Sequence, residues 1–165
     1  MTGAPLREPT RLFVLRHGQT AWNAELRIQG HVDEPLNDTG RWHADRLAQA
    51  LAAGAATFQT PKALASHCDV IILCVTGTPQ VEAVLLGEEG VLQGMRPGTI
   101  VIDCSTAMPA STEKIAHAVI AQGGLFVDAP MTRTPKEAAE GRLNLLVGAD
   151  AAVFETCHPI LSCFA

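Results

Sequence analysis

The 165-residue sequence predicts an α/β fold, a three-layer arrangement in which helices cover both faces of a mostly parallel sheet. Three observations lead there. Short runs of Val, Ile and Leu recur along the chain, helix-like stretches alternate with them, and several of the runs are apolar at every position. Unbroken apolar character is what a parallel strand covered on both faces requires. Strand–helix alternation is what right-handed crossovers between parallel strands produce.

The elements follow in order. RLFVL (11–15) reads as the first strand. DTGRWHADRLAQALAAG (38–54) is a helix, with apolar residues at 44, 47, 48 and 51 and Gly54 as the residue that stops it. DVIILCV (69–75) is the next strand. TPQVEAVLLG begins with Thr78 as N-cap and Pro79 in the first helical position, and ends at Gly87. TIVID (99–103) precedes PASTEKIAHAVIAQGG, a helix stopped at Gly123. LFVDA (125–129) precedes TPKEAAEG, a capping box from Thr134 to Glu137 that closes at Gly141. LNLLVG (143–148) is the last strand.

Composition narrows the function classes. Hydrophobic residues make up 47% and charged residues 18%, which describes a globular chain long enough for one domain with a real core. Aromatic residues are 4% with no Tyr, so Ala, Val, Leu and Ile must build that core. The net charge of −5 argues against a nucleic-acid partner, which favours a basic surface. No apolar run approaches the roughly 20 residues that span a bilayer, so no membrane partner is expected. MTGAPLREPT lacks the apolar core of a secretory signal. Cys68, Cys74, Cys104, Cys157 and Cys163 form no CxxC pair, and an odd number inside apolar stretches reads as reduced, buried thiols in a cytoplasmic protein with no metal site. Residues 1–54 carry six Arg against six acidic residues, and the remainder carries six basic against eleven acidic, which accounts for the whole −5. A single α/β domain over 1–165 therefore changes character near Gly54.

Arg16-His17-Gly18 stands where the first strand ends. A neutral, exposed imidazole can accept a phosphoryl group, a neighbouring guanidinium can hold its oxygens, and a glycine lets the backbone approach the anion. The extended stretch LRHGQTAWNAELRIQGHVDEPLNDTGRWHADRLAQAL resembles the opening of the histidine phosphatase family, the phosphoglycerate mutase relatives, over residues 11 to about 53. The resemblance implies His17 as the phosphorylated nucleophile and Arg16 as a phosphate ligand. It also implies Gly18, Thr20 and Asn23 in the same pocket, with Gln29 and Gly30 on a loop that closes over the substrate. The family's second phosphate-binding arginine, acidic proton donor and late histidine have no counterparts here, and each such donor is worth roughly 10²–10³ in rate.

From residue 54 the likeness changes. CDVIILCV, PGTIVIDCST, DAP and EGRLNLLVG, spread over about 110 residues, resemble the later part of the NAD(P)-binding domain of β-hydroxyacid dehydrogenases, the 3-hydroxyisobutyrate and 6-phosphogluconate dehydrogenase family. That resemblance implies a Rossmann-like sheet whose first strand–helix unit is replaced by the histidine phosphatase unit (1–53), followed by an NAD(P)-binding segment (54–165). It implies Cys74 and Val75 beside the cofactor's ribose and nicotinamide, Ser105 and Thr106 in the turn that meets nicotinamide and substrate carboxylate, and Thr132 in a substrate-binding position. Arg133 and Thr134 depart from the family's glycine pair. No G-x-G-x-x-G occurs anywhere in the sequence, and the family's catalytic lysine belongs to a helical domain beyond PILSCFA.

The expected function is that of an NAD(P)-binding relative of the β-hydroxyacid dehydrogenases, catalytically deficient, with NAD or NADP bound weakly or not at all. Its ligand is a small-molecule anion or hydroxyacid. The alternatives are a phosphoryl-transfer enzyme using His17, or a recombined or designed chimera with no activity. Exchanging one opening unit for the other removes a strand from the dehydrogenase order, and the open edge favours a homodimer.

Overall fold

The computed structural model describes residues 35–52, 54–163 and 165, and contacts divide the chain into two units, Met1–Thr57 and Phe58–Ala165. The strand expected at 11–15 lies outside the described residues, as do Arg16, His17, Gly18, Thr20, Asn23, Gln29 and Gly30.

In the first unit, α1 (Asp38–Ala52) starts where Asn37 Oδ1 accepts the Gly40 N–H at 2.9 Å, satisfying one of the free donors of the first turn. Asp38 favours the positive end of the helix dipole and pairs with Arg41, whose guanidinium also donates to the Leu36 carbonyl at 2.6 Å. Gly54, at φ +95°, donates its N–H to Leu51 at 3.0 Å, the stop its sequence position predicts.

The second unit runs α2 (Pro61–Ala65), β1 (Val70–Leu73), α3 (Thr78–Leu86), a 3-10 turn (Val91–Gln93), β2 (Ile100–Asp103), α4 (Pro109–Ala121), β3 (Leu125–Asp128), β4 (Met131–Thr132), α5 (Pro135–Ala139), β5 (Asn144–Leu145) and α6 (Ala151–Leu161). β1, β2 and β3 form a parallel sheet in that order, in register from Val70–Ile100–Leu125 to Leu73–Asp103–Asp128. Alternation along the strands sorts the apolar side chains into two cores. Ile71, Leu73 and Val101 pack with Val81 and Leu85 of α3, Ile115 and Val119 of α4, and Val91 and Leu92 of the 3-10 turn. Ile100, Ile102, Cys104 and Val127 pack on the opposite face with Cys157 and Leu161 of α6. All four residues of β2 are buried, which explains why TIVID is apolar without alternation. Each large apolar side chain so buried contributes roughly 1.5–3 kcal/mol.

Three details differ from expectation. LNLLVG does not join the parallel sheet. Its Asn144–Leu145 segment pairs antiparallel with β4, Met131 opposite Leu145 and Thr132 opposite Asn144. The hairpin is tied to β3 through Asp128 and Gly148, which exchange N–H to carbonyl bonds of 3.0 and 2.7 Å. Thr78 is the first residue of α3 rather than its cap. Gly77 occupies the cap, and the Thr78 hydroxyl instead accepts the Met108 N–H at 2.9 Å. The 3-10 turn was not legible as an element, being short and dependent on packing against α2.

That packing passes through Gly94. A Cβ there would lie 2.1 Å from the Lys62 carbonyl oxygen, which is backbone and has little room to yield. Gly148 is the contrast, since a Cβ there would have no neighbour nearer than 3.9 Å. Gly94→Ala is therefore expected to lower stability by about 2 kcal/mol, while Gly148→Ala changes it by less than about 0.5 kcal/mol, read from urea midpoints.

Candidate functional site

The parallel strands end in register, and their carboxyl edge is where a sheet of this kind places its ligand crevice. The backbone ladder persists for one further step, with Cys104 N–H donating to Leu73 at 2.7 Å and Ala129 N–H donating to Asp103 at 2.8 Å. Beyond that step side chains take over. Asp103 Oδ1 accepts the Ser105 N–H at 2.9 Å, a carboxylate bonding the backbone two residues on. Ser105 Oγ accepts the Val75 N–H at 2.9 Å and so joins the end of β1 to the end of β2. Asp103 and Ser105 are both buried, at 1% and 3% exposure, which removes water as a competing partner.

A buried carboxylate carries an electrostatic penalty. Burial pushes the Asp103 carboxyl above its ordinary range, and the hydroxyl and N–H of Ser105 pull it part of the way back. Asp128, its register partner on β3, is raised by burial and by the Asp103 charge. Burial likewise pushes the Cys104 thiol up to about 12, with Cys74, Asp103 and Asp128 adding to the effect. Cys104 is thus a protonated packing residue at neutral pH rather than a nucleophile.

The sequence-derived residues distribute as follows. Cys74 and Val75 are half-buried at the end of β1, with the Val75 N–H committed to Ser105. Ser105 meets the rest of the protein, its hydroxyl engaged by Val75 and Asp103, whereas Thr106 beside it is exposed. The turns after β1 and β2 are held together by the bond from Met108 N–H to Thr78 and, one helical turn deeper, by the Ser111 hydroxyl donating to Glu82 Oε1 at 2.8 Å. Thr132 lies on the β4–β5 hairpin, where its hydroxyl donates to the Asn144 carbonyl at 3.4 Å. Lys62, Lys114 and Lys136 sit on α2, α4 and α5. Sequence reasoning assigned no role to Asp103 or Asp128. The available signal was an acidic residue closing each of two otherwise apolar strands, TIVID and LFVD. Among the described residues no cluster of three His, Cys, Asp or Glu side chains could hold a metal ion, and no helix is long and apolar enough to cross a membrane.

Comparison with known proteins matches a family described as the NAD binding domain of 6-phosphogluconate dehydrogenase to residues 41–165. A second, the histidine phosphatase superfamily (branch 1), matches residues 12–67. The 2-hydroxy-3-oxopropionate reductase of Escherichia coli is 38% identical over 117 residues, covering 71% of this chain and 39% of the relative. The cytokine-like nuclear factor N-PAC of Xenopus tropicalis is 33% identical over 141 residues, covering 86% of this chain and 25% of the relative. The chain thus spans well under half the length of these curated relatives. A crystal structure of 3-hydroxyisobutyrate dehydrogenase from Salmonella typhimurium superposes with a TM-score of 0.63 at 30% identity, covering 72% of this chain and 41% of that one.

Two outcomes test the strand-end network. Ser105→Ala strips the Val75 N–H of its acceptor and is expected to reduce stability by about 1–3 kcal/mol in denaturant titration. Asp103 has a folded pKa above its unfolded one, so at mildly acidic pH the folded chain holds more of its proton than the unfolded chain does. Its ionisation therefore destabilises the fold above that window, and the penalty fades as pH falls through the raised pKa towards the unfolded value near 3.8. Unfolding free energies at pH 7 and pH 4.5 should show wild type gaining on Asp103→Asn as pH falls, and a pH-independent difference would contradict this.

Proposed function

The chain belongs to the family of the NAD binding domain of 6-phosphogluconate dehydrogenase, and we propose that its strand-end turns bind the nicotinamide–ribose half of NAD or NADP. The observation that carries this reading is the Asp103–Ser105–Val75 network at the carboxyl edge of the parallel sheet, which fixes one turn and leaves Thr106 exposed beside it. Ser105 is a positioning residue here, and the Thr106 hydroxyl and the backbone near Cys74 and Val75 make the contacts. Thr132, on the hairpin that β3 leads into, is assigned to the carboxylate of a small hydroxyacid. When bound, the dinucleotide supplies the hydride acceptor for oxidation of such a hydroxyl. The residues of this chain orient the ring and exclude water from one side of it.

The fit is partial. The sequence has no G-x-G-x-x-G, so the pyrophosphate lacks the close-approach turn that normally supplies much of the affinity. Weak cofactor binding and deficient hydroxyacid dehydrogenation follow from that. A second reading rests on the histidine phosphatase match to residues 12–67. In it the chain joins two families, and Arg16 and His17 hold a phosphate, with His17 as acceptor.

A fluorescence titration with NADH separates the readings. Saturable enhancement, weakened about fivefold by Thr106→Ala through loss of a roughly 1 kcal/mol hydrogen bond, is the expected result. No NADH signal, combined with vanadate stabilisation abolished by His17→Ala, would replace the first reading with the second.

A further inference from the structure

Among the described residues Arg133 is the one non-glycine residue at positive φ, +79°. A side chain in the left-handed region crowds its own backbone, and such a conformation persists where the surroundings hold it. Here the hold is visible. Arg133 Nη1 donates to the Arg142 carbonyl at 3.1 Å across the hairpin, and the neighbouring Thr132 hydroxyl donates to Asn144 on the same opposing segment. The guanidinium is therefore directed across the hairpin to the segment that also receives the Thr132 hydroxyl, on the hairpin that β3 leads into from the carboxyl edge of the sheet.

Its charge is left without a direct counterion. A carbonyl uses one of five guanidinium N–H donors and neutralises nothing. The nearby carboxylates are engaged elsewhere. Glu137 accepts the Thr134 N–H at 3.1 Å and the Thr134 hydroxyl, and Glu140 pairs with Arg142. The Thr134 hydroxyl is the main cause that holds the Glu137 carboxyl below its ordinary range, with the Arg133 charge a minor one. Arg133 is exposed and forms no ion pair within the described residues. A rigid fork of unused donors on an anchored guanidinium matches a carboxylate in two-point geometry.

We propose that Arg133 is a specificity residue that selects hydroxyacids bearing a second carboxylate, the first being held at Thr132. The proposal rests on the reading that this hairpin faces a hydroxyacid. Malate and 3-hydroxybutyrate are the matched probes, since malate is the same four-carbon 3-hydroxyacid with a carboxylate in place of the methyl. Calorimetric titrations of the full chain, with and without saturating NADP⁺, should give about tenfold tighter binding of malate. Arg133→Gly, which adopts the same φ without crowding, should bring the two probes to within about twofold, and Arg133→Lys should retain only part of the preference. Equal affinity for the two acids in wild type, binding of neither, or a preference that survives Arg133→Gly would each overturn the proposal. The NADH titration reads on the cofactor separately. A malate preference that depends on Arg133, found in a protein that does not bind NADH, supports this inference while removing the dinucleotide reading.

Discussion

The acceptance of the Ser105 N–H by the buried Asp103 carboxylate organises the carboxyl edge of the parallel sheet. Three strands can be kept parallel by their own ladder, but the ladder stops where the strands stop. Whatever happens beyond them has to be specified by side chains. Asp103 bends the chain after β2, the bend places the Ser105 hydroxyl under the Val75 N–H, and that bond sets the exit of β1. Val75 in turn leads through Gly77 into α3, whose Thr78 ties the second turn back to the first. Ionising a carboxylate in such a place is unfavourable, and the raised pKa values of Asp103 and Asp128 are the electrostatic mark of that choice.

The rest of the second unit serves to make that edge rigid. Core packing on one face comes from α3, α4 and the 3-10 turn, and on the other from α6. Because β2 is buried on both sides, it cannot shift register without exposing Ile102 or burying Asp103 differently. Two of the five thiols follow the same logic, whereas, against expectation, Cys68 and Cys74 are only half-buried and Cys163 is exposed. Cys104 and Cys157 lie in one core as small apolar side chains, and Cys104 is held protonated by its surroundings.

The β4–β5 hairpin carries Arg133 and Thr134, which depart from the glycine pair the resemblance implies there. A glycine would take the conformation of Arg133 without crowding. Arginine takes it with its guanidinium donating to the Arg142 carbonyl across the hairpin. Fold-level likeness extends to the parallel sheet and its carboxyl edge, whereas function depends on the particular side chains that each turn carries.

Much of this was legible in the sequence. The unbroken apolar runs of β1 and β2, the capping residues Thr134 and Glu137, and the glycine stops at 54 and 123 are local signals, and local physics determines them: covered strands need apolar residues on both faces, and helix ends need partners for their free backbone groups. Ser105 and Thr106 could be read locally only as a turn at a strand end, and the interest of these two residues and of Thr132 came from the family resemblance rather than from local signals. What only the tertiary structure decided depends on distant residues meeting. That LNLLVG pairs with Met131 and Thr132 instead of entering the parallel sheet is a matter of which strand it meets in space. That Ser105 is consumed in holding Val75, thirty residues away in sequence, while Thr106 stays exposed, followed from the register of β1 on β2. Residue type and spacing announce that a turn exists. Which of its side chains faces inward is set by the neighbours that packing brings to it.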